Sequence, residues 1–174
     1  MSKPIFVAVL CTAIMSFTLC LPTPASAQRL DDSASSQRSV SPIRTVLTPA
    51  RGASDGFNTP PPSHATLYFG RINYRLSTAQ YVGKRARIYM VIPLATHIVN
   101  SPSGIKLEWR SARLFASGAG RPGDRVPVWQ GTVPGAWLNE ELDLTMQIEL
   151  NRLQNGGART SSGFESYFEI EVLQ

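Results

Sequence analysis

The sequence predicts an all-β protein, an antiparallel β-sandwich of about six to eight strands that is immunoglobulin-like or jelly-roll-like. Apolar residues recur with a period of two in several separate segments, as expected of strands with one buried face. Gly, Pro and Asn cluster between these segments, as they do in turns. The connections are too short, or too rich in Gly and Pro, for the crossover helices that parallel strands require.

The composition is that of one globular domain. The chain has 174 residues, of which 43% are hydrophobic and 17% are charged, with a formal net charge of +5. The moderate hydrophobic content excludes a multispan membrane protein. The length leaves no room for a multidomain enzyme. We predict three segments: a signal peptide over residues 1–27, a flexible Ser- and Pro-rich segment over 28–64, and the β-sandwich domain over 65–174.

The first segment has the features of an export signal. Lys3 precedes the apolar stretch Ile5–Leu21, and the small-residue run Ala25-Ser26-Ala27 follows. This order is typical of a secretory signal peptide cleaved after its last small residue. We therefore expect export to the periplasm, cell surface or medium, a mature chain that begins at Gln28, and no transmembrane span after cleavage.

Both cysteines, Cys11 and Cys20, lie in this predicted signal. A retained membrane anchor is the alternative, but the apolar stretch is short for a span. Lipid attachment at Cys20 is disfavoured because Leu19 stands where a lipoprotein signal has a small residue. Removal of the signal leaves no thiol, which excludes disulfides, thiol catalysis and thiolate metal sites.

The segment from residue 28 to 64 is predicted to be flexible because its aliphatic residues are too sparse to bury much surface. Ordering a residue costs about 1–2 kcal/mol, which such a segment does not recover by burial. An alternative is that Val40–Thr48 adds as a strand to another subunit.

The domain begins with three predicted strands. The first covers Leu67–Leu76 as one strand or a strand pair, and the apolar period slips at Gly70, where a β-bulge can lie. The second covers Arg85–Ile92 and has a strongly apolar inner face. The third, Ile105–Arg110, alternates apolar and charged residues and therefore has one face in water.

The rest of the domain contains a loop and three further strands. Gly118–Asp124 is a loop by composition, and Arg125–Gln130 is an edge strand because Pro127 cannot donate to a ladder. Glu141–Leu150 alternates most regularly, so we predict a strand although its residue types also suit a helix. Phe164–Leu173 closes the chain as a strand.

The candidate catalytic and metal-binding groups lack partners in the sequence. His97, in a predicted loop, and His64 have no cysteine or acidic cluster at ligand spacing. Glu140, Glu141 and Asp143 form an acidic cluster, which we interpret as a solvated strand face because calcium-loop spacing is absent. We expect no enzyme activity, no metal and no cofactor.

Two groups of residues are candidates for binding. A basic and aromatic set resembles faces that bind anions by stacking and ion pairing, although it also suits an outer sheet face whose charges prevent edge pairing. It comprises Arg71, Arg75, Arg85, Arg87 and Tyr89. A predicted strand-pairing edge comprises Val126, Val128 and Trp129. Export argues against nucleic acid as a partner.

The sequence therefore predicts an exported, bacterial-type structural or interaction module, non-enzymatic and similar in layout to fimbrial surface subunits. Its expected partner is a protein, either itself or another exported protein. The alternative is a periplasmic binding protein that takes a glycan or another anionic ligand on the basic face. A small hydrolase is a third hypothesis, for which the sequence offers no residue set.

Overall fold

The computed structural model describes residues 27–35, 41–49, 61–94, 104–152 and 166–173. They form nine strands and two short 3-10 turns, at Ala79–Tyr81 and Leu150–Arg152. The strands are β1 (Gln28–Arg29), β2 (Arg44–Pro49), β3 (Pro62–Ser77), β4 (Arg85–Val91), β5 (Ile105–Ser111), β6 (Gly118–Gly120), β7 (Arg125–Thr132), β8 (Trp137–Glu149) and β9 (Tyr167–Val172).

The strands form two antiparallel sheets, which confirms the predicted all-β sandwich. The four-stranded sheet has the order β1-β9-β4-β7, and the five-stranded sheet has the order β2-β3-β8-β5-β6. Every strand pair in the described residues is antiparallel. No helix long and apolar enough to cross a membrane occurs in the part of the chain that the structure describes.

The core lies between the sheets and follows from the period-two pattern of each strand. Alternate residues of β3, β4, β5, β8 and β9 are buried, and the rings of Tyr74 and Phe168 meet edge to face across the sandwich with centroids 5.0 Å apart. Burying one large apolar side chain contributes about 1.5–3 kcal/mol, so this shared interior holds the two sheets together. The largest fully buried side chains include Trp109, Phe168, Ile88, Met90, Leu107 and Leu144.

The long pair of β3 and β8 forms the centre of the five-stranded sheet. Its register shifts between Tyr68 and Gly70, where the glycine has a φ of +73°. This is the predicted bulge, and it returns the apolar residues Ile72, Tyr74 and Leu76 to the inner face after the slip. β8 runs as a strand throughout, so the alternation prevails over the helix-forming residue types.

Part of the segment over residues 28–64, whose flexibility stays a prediction, forms strands. β1, β2 and the beginning of β3 lie within it. Leu30 is only 3% exposed, and its N–H donates to the Phe168 carbonyl at 2.8 Å. The Ser77 N–H donates to the Asp31 carbonyl at 2.9 Å, so residues 30 and 31 connect one sheet to the other. One buried leucine and its backbone partners are enough to attach this stretch to the domain.

The structure differs from the prediction of a loop over Gly118–Asp124. Its first three residues form β6, which pairs with β5 through Leu107, Glu108 and Trp109. Glycine is required there because a Cβ at Gly118 would stand 2.8 Å from the Trp109 ring. The predicted signal peptide up to residue 26 and His97 lie outside the described residues.

Candidate interaction surfaces

The structure divides the predicted basic set between two sheets. Arg71 and Arg75 lie on the outer face of β3, in the five-stranded sheet. Arg85, Arg87 and Tyr89 lie on β4, in the four-stranded sheet. The five residues therefore do not form one face, and whether either group binds a ligand stays a prediction.

On the four-stranded sheet, Arg87 and Tyr89 of the basic set are engaged within the protein, whereas Arg85 is exposed. Arg87 donates from Nε and Nη2 to Gln130 Oε1 at 2.9 and 2.7 Å. The buried Tyr89 hydroxyl donates to Glu171 Oε2 at 2.8 Å. Because a ligand would have to displace these bonds, Arg87 and Tyr89 form a poor anion site.

Arg125 on β7 completes this outer network. It contacts Glu169 at 2.8 Å and Glu171 at 3.6 Å, and its guanidinium lies 3.3 Å from the centroid of the Tyr89 ring. Desolvation opposes its charge, but the hydrogen bonds to Glu169 and Tyr89 outweigh that and raise the pKa of Arg125. The network joins β4, β7 and β9 and supplies stabilisation rather than an open binding face.

The predicted pairing edge, β7, lies at the end of the four-stranded sheet but is partly covered. Val128 is buried in the core, and its carbonyl accepts a hydrogen bond from the Ala116 N–H at 2.7 Å. Val126 and Trp129 pack partly against the core, and Pro127 has no N–H to offer. Pairing of a partner strand along β7 therefore stays a prediction, and the loop that contains Ala116 already occupies one of its backbone acceptors.

The buried carboxylate of Glu140 holds the loop that covers β7. The sequence predicted a solvated position for this residue. Glu140 is 2% exposed and accepts hydrogen bonds from the backbone N–H groups of Arg113, Leu114 and Phe115 at 2.6–3.2 Å. The Ser111 hydroxyl also donates to it at 2.9 Å. Strict alternation could have revealed this role, because residue 140 is in phase with the inward leucines of β8.

β2 forms one edge of the five-stranded sheet, and no described strand pairs with its outer side. β2 pairs with β3 on one side only, and all six of its residues are exposed. Its interior, Thr45-Val46-Leu47-Thr48, carries no charge, and Leu47 is 57% exposed. Free backbone groups beside exposed, strand-forming side chains are a template for pairing with another chain.

A shallow cleft occupies the outer face of the same sheet. It has a volume of about 280 Å³, and the polar residues that line it are Asn73, Arg75, Arg113, Asn139 and Glu141, besides Glu140. The β3 and β8 residues among them alternate with buried neighbours, so their side chains point away from the core.

The described residues contain no group of three or more His, Cys, Asp or Glu side chains that could hold a metal ion. Comparison with protein-family models, with curated proteins and with solved structures finds no match to this chain. The candidate surfaces therefore rest on their own geometry, and the open β2 edge and the cleft are the two that remain accessible.

Proposed function

We propose that this protein is an exported, non-enzymatic interaction module that associates with a second copy of itself by pairing β2 with β2. The single observation that carries the proposal is the exposure of all six β2 residues at the end of the five-stranded sheet. Export is part of the proposal and is supported by the signal-like residues 1–27.

The β2 sequence suits self-pairing about a twofold axis perpendicular to the sheet. In such an antiparallel pair, opposite residues must share a face, so the pairing is centred on a residue. Centred on Val46, it places Val46 opposite its own copy and Arg44 opposite Thr48 of the second copy. The two arginines stay apart, so the pairing brings no like charges together.

This geometry favours a closed dimer over a fimbria-like filament. A twofold contact uses the same patch on both copies, and it is complete once two chains have joined. A filament would require a second interface. Of the other described edge strands, β1 has two residues, β6 has three, and β7 is partly covered by the loop that contains Ala116. The proposed assembly is therefore a dimer with one continuous ten-stranded outer sheet.

Size-exclusion chromatography with light scattering tests the proposal. We expect the measured mass of the natural protein to rise towards that of a dimer with concentration. Val46→Lys should remain monomeric, because the substitution sets two lysines opposite each other at the centre of the pair. Val82→Lys is the matched control, since Val82 is 48% exposed, close to the 39% of Val46, but lies away from the edge.

A natural protein that stays monomeric at every concentration would contradict the proposal. Equal loss of association in the two lysine variants would also contradict it, because it would show a general charge effect instead of an edge contact. Association with a different exported protein, lost in Val46→Lys alone, would keep the β2 edge as the site and replace the second copy as the partner.

A further inference from the structure

We infer that the cleft on the outer face of the five-stranded sheet binds an acidic saccharide, a sugar ring that carries a carboxylate. The cleft lies on β3, β8 and the loop that contains Arg113, and β2 contributes none of its lining. The inference therefore stands apart from the proposed dimerisation, and either can fail without the other.

Two arginines and two glutamates line the cleft, and the two glutamates are engaged within the protein. Glu141 Oε1 is paired with Arg71 Nε at 2.6 Å, and the Glu140 carboxylate is turned inward to hold its loop. No carboxylate of the described residues forms an ion pair with Arg75 or Arg113. These two guanidinium groups can therefore pair with the carboxylate of a ligand.

The guanidinium of Arg75 is held in place for binding. It lies 4.5 Å from the centroid of the Trp137 ring, and Trp137 is 41% exposed on the same outer face. The backbone N–H of Arg75 donates to Ser35 Oγ at 2.9 Å, which fixes this part of β3. A stacked guanidinium keeps its N–H groups in the plane of the stack, where they can bind a carboxylate with two parallel hydrogen bonds.

The two asparagines favour a saccharide over a simple anion. Asn73 and Asn139 lie on adjacent strands, where Arg75 pairs with Asn139 and Asn73 pairs with Glu141. A carboxamide both donates and accepts hydrogen bonds, as does a sugar hydroxyl, whereas sulfate and phosphate offer acceptors only at their charged oxygens.

The size of the cleft limits the ligand to a small group. Its volume of about 280 Å³ is at the lower end of ordinary ligand sites, which suits one sugar ring of a longer chain. Ala34 of the N-terminal segment and Arg113 both contribute to the lining, so the ring would contact both.

Isothermal titration calorimetry with trigalacturonic acid tests the inference on the full chain. Maltotriose is the uncharged control ligand, and sodium sulfate is the simple-anion control. We expect the acidic trisaccharide to bind, and Arg113→Gln and Arg75→Gln each to weaken it about tenfold, as loss of one charged hydrogen-bond contact does. Arg85→Gln on the other sheet is the matched control and should leave the affinity unchanged.

The remaining outcomes separate the alternatives. If maltotriose binds as tightly as trigalacturonic acid, the arginines do not recognise the carboxylate. If sulfate binds as tightly as trigalacturonic acid, the cleft is a site for simple anions and not for a saccharide. Absence of trigalacturonic acid binding to a correctly folded chain, judged by its thermal unfolding, would overturn the site. Repeating the titration with Val46→Lys separates this result from dimerisation, because that variant should bind the trisaccharide normally.

Discussion

β7 and β2 are edge strands of different sheets, and their backbones have different surroundings. At β7, a loop donates the Ala116 N–H to the Val128 carbonyl, and Pro127 removes one donor. At β2, no described segment covers the outer edge, and every residue is exposed. The difference shows that an edge becomes closed or open through tertiary contacts beyond the strand itself.

The outer faces of the two sheets differ in whether their arginine side chains are engaged within the protein. On the four-stranded sheet, Arg87 and Arg125 are engaged with Gln130, Glu169 and Glu171. On the five-stranded sheet, the arginines of the cleft are stacked or exposed and face the solvent. The accessible arginine side chains of the cleft and the exposed edge strand β2 therefore lie on the same sheet.

The largest expected effect comes from releasing the loop that covers β7, which Glu140 on β8 holds in place. In Glu140→Gln, an amide nitrogen replaces one carboxylate oxygen. Two backbone N–H groups then lose their acceptor, either those of Leu114 and Phe115 or those of Arg113 and Glu141. Leaving buried donors unsatisfied should lower the free energy of unfolding by about 3 kcal/mol. Chemical denaturation measures this loss, and hydrogen exchange should show faster exchange at Ala116.

Glu141→Gln is the matched control for that substitution. Its carboxylate lies on the outer face and pairs with the exposed Arg71, so the loss should stay below about 1 kcal/mol. Equal destabilisation by the two variants would show that the buried carboxylate does not hold the loop as described.

A smaller effect separates the N-terminal attachment from the open edge. Leu30→Ala should lower the free energy of unfolding by about 2 kcal/mol, because a buried leucine leaves a cavity. Leu47→Ala removes the same atoms from the exposed β2 and should change stability by less than about 0.5 kcal/mol. Denaturation curves of the two variants compare these positions directly, and similar losses would show that residue 30 is not part of the core.

The smallest effect concerns the outer network of the four-stranded sheet. Tyr89→Phe removes the hydroxyl that donates to Glu171 and should cost about 1 kcal/mol. Tyr68→Phe is the control, since the Tyr68 ring lies beneath Arg44 and only the hydroxyl is removed. Thermal unfolding compares the two variants. A melting temperature that Tyr89→Phe leaves unchanged would indicate that the network contributes little stability.

Most strands could be predicted from the sequence because their evidence is local. Alternation over β4, β5 and β8 is carried by consecutive residues, and the slip at Gly70 marks the bulge without any knowledge of the partner strand. β1 contains two residues and is too short to show a period, so only its contacts with β9 reveal it.

The surfaces were harder to predict because they depend on strand order and loop packing. Arg71 and Arg85 are close in sequence, but their strands belong to different sheets, which no local pattern indicates. The cover over β7 depends on how the loop from Ser111 to Ala116 folds back. The inward side chain of Glu140 was visible in the alternation, but its acidic type suggested a solvated position.

Single-cysteine cross-linking is the most direct test of the open edge. In a full chain with Cys11→Ser and Cys20→Ser, Val46→Cys introduces one thiol at the centre of the proposed β2 pair. Two such thiols face each other across an antiparallel pair, where Cβ atoms are about 4.5–5.5 Å apart and a disulfide can form with little adjustment.

Mild oxidation followed by non-reducing electrophoresis measures the result. We expect a covalent dimer from Val46→Cys and little from Val82→Cys, whose thiol lies at a somewhat more exposed position away from the edge. Equal cross-linking at the two positions, or none along β2, would contradict the claim that β2 joins two copies of this protein.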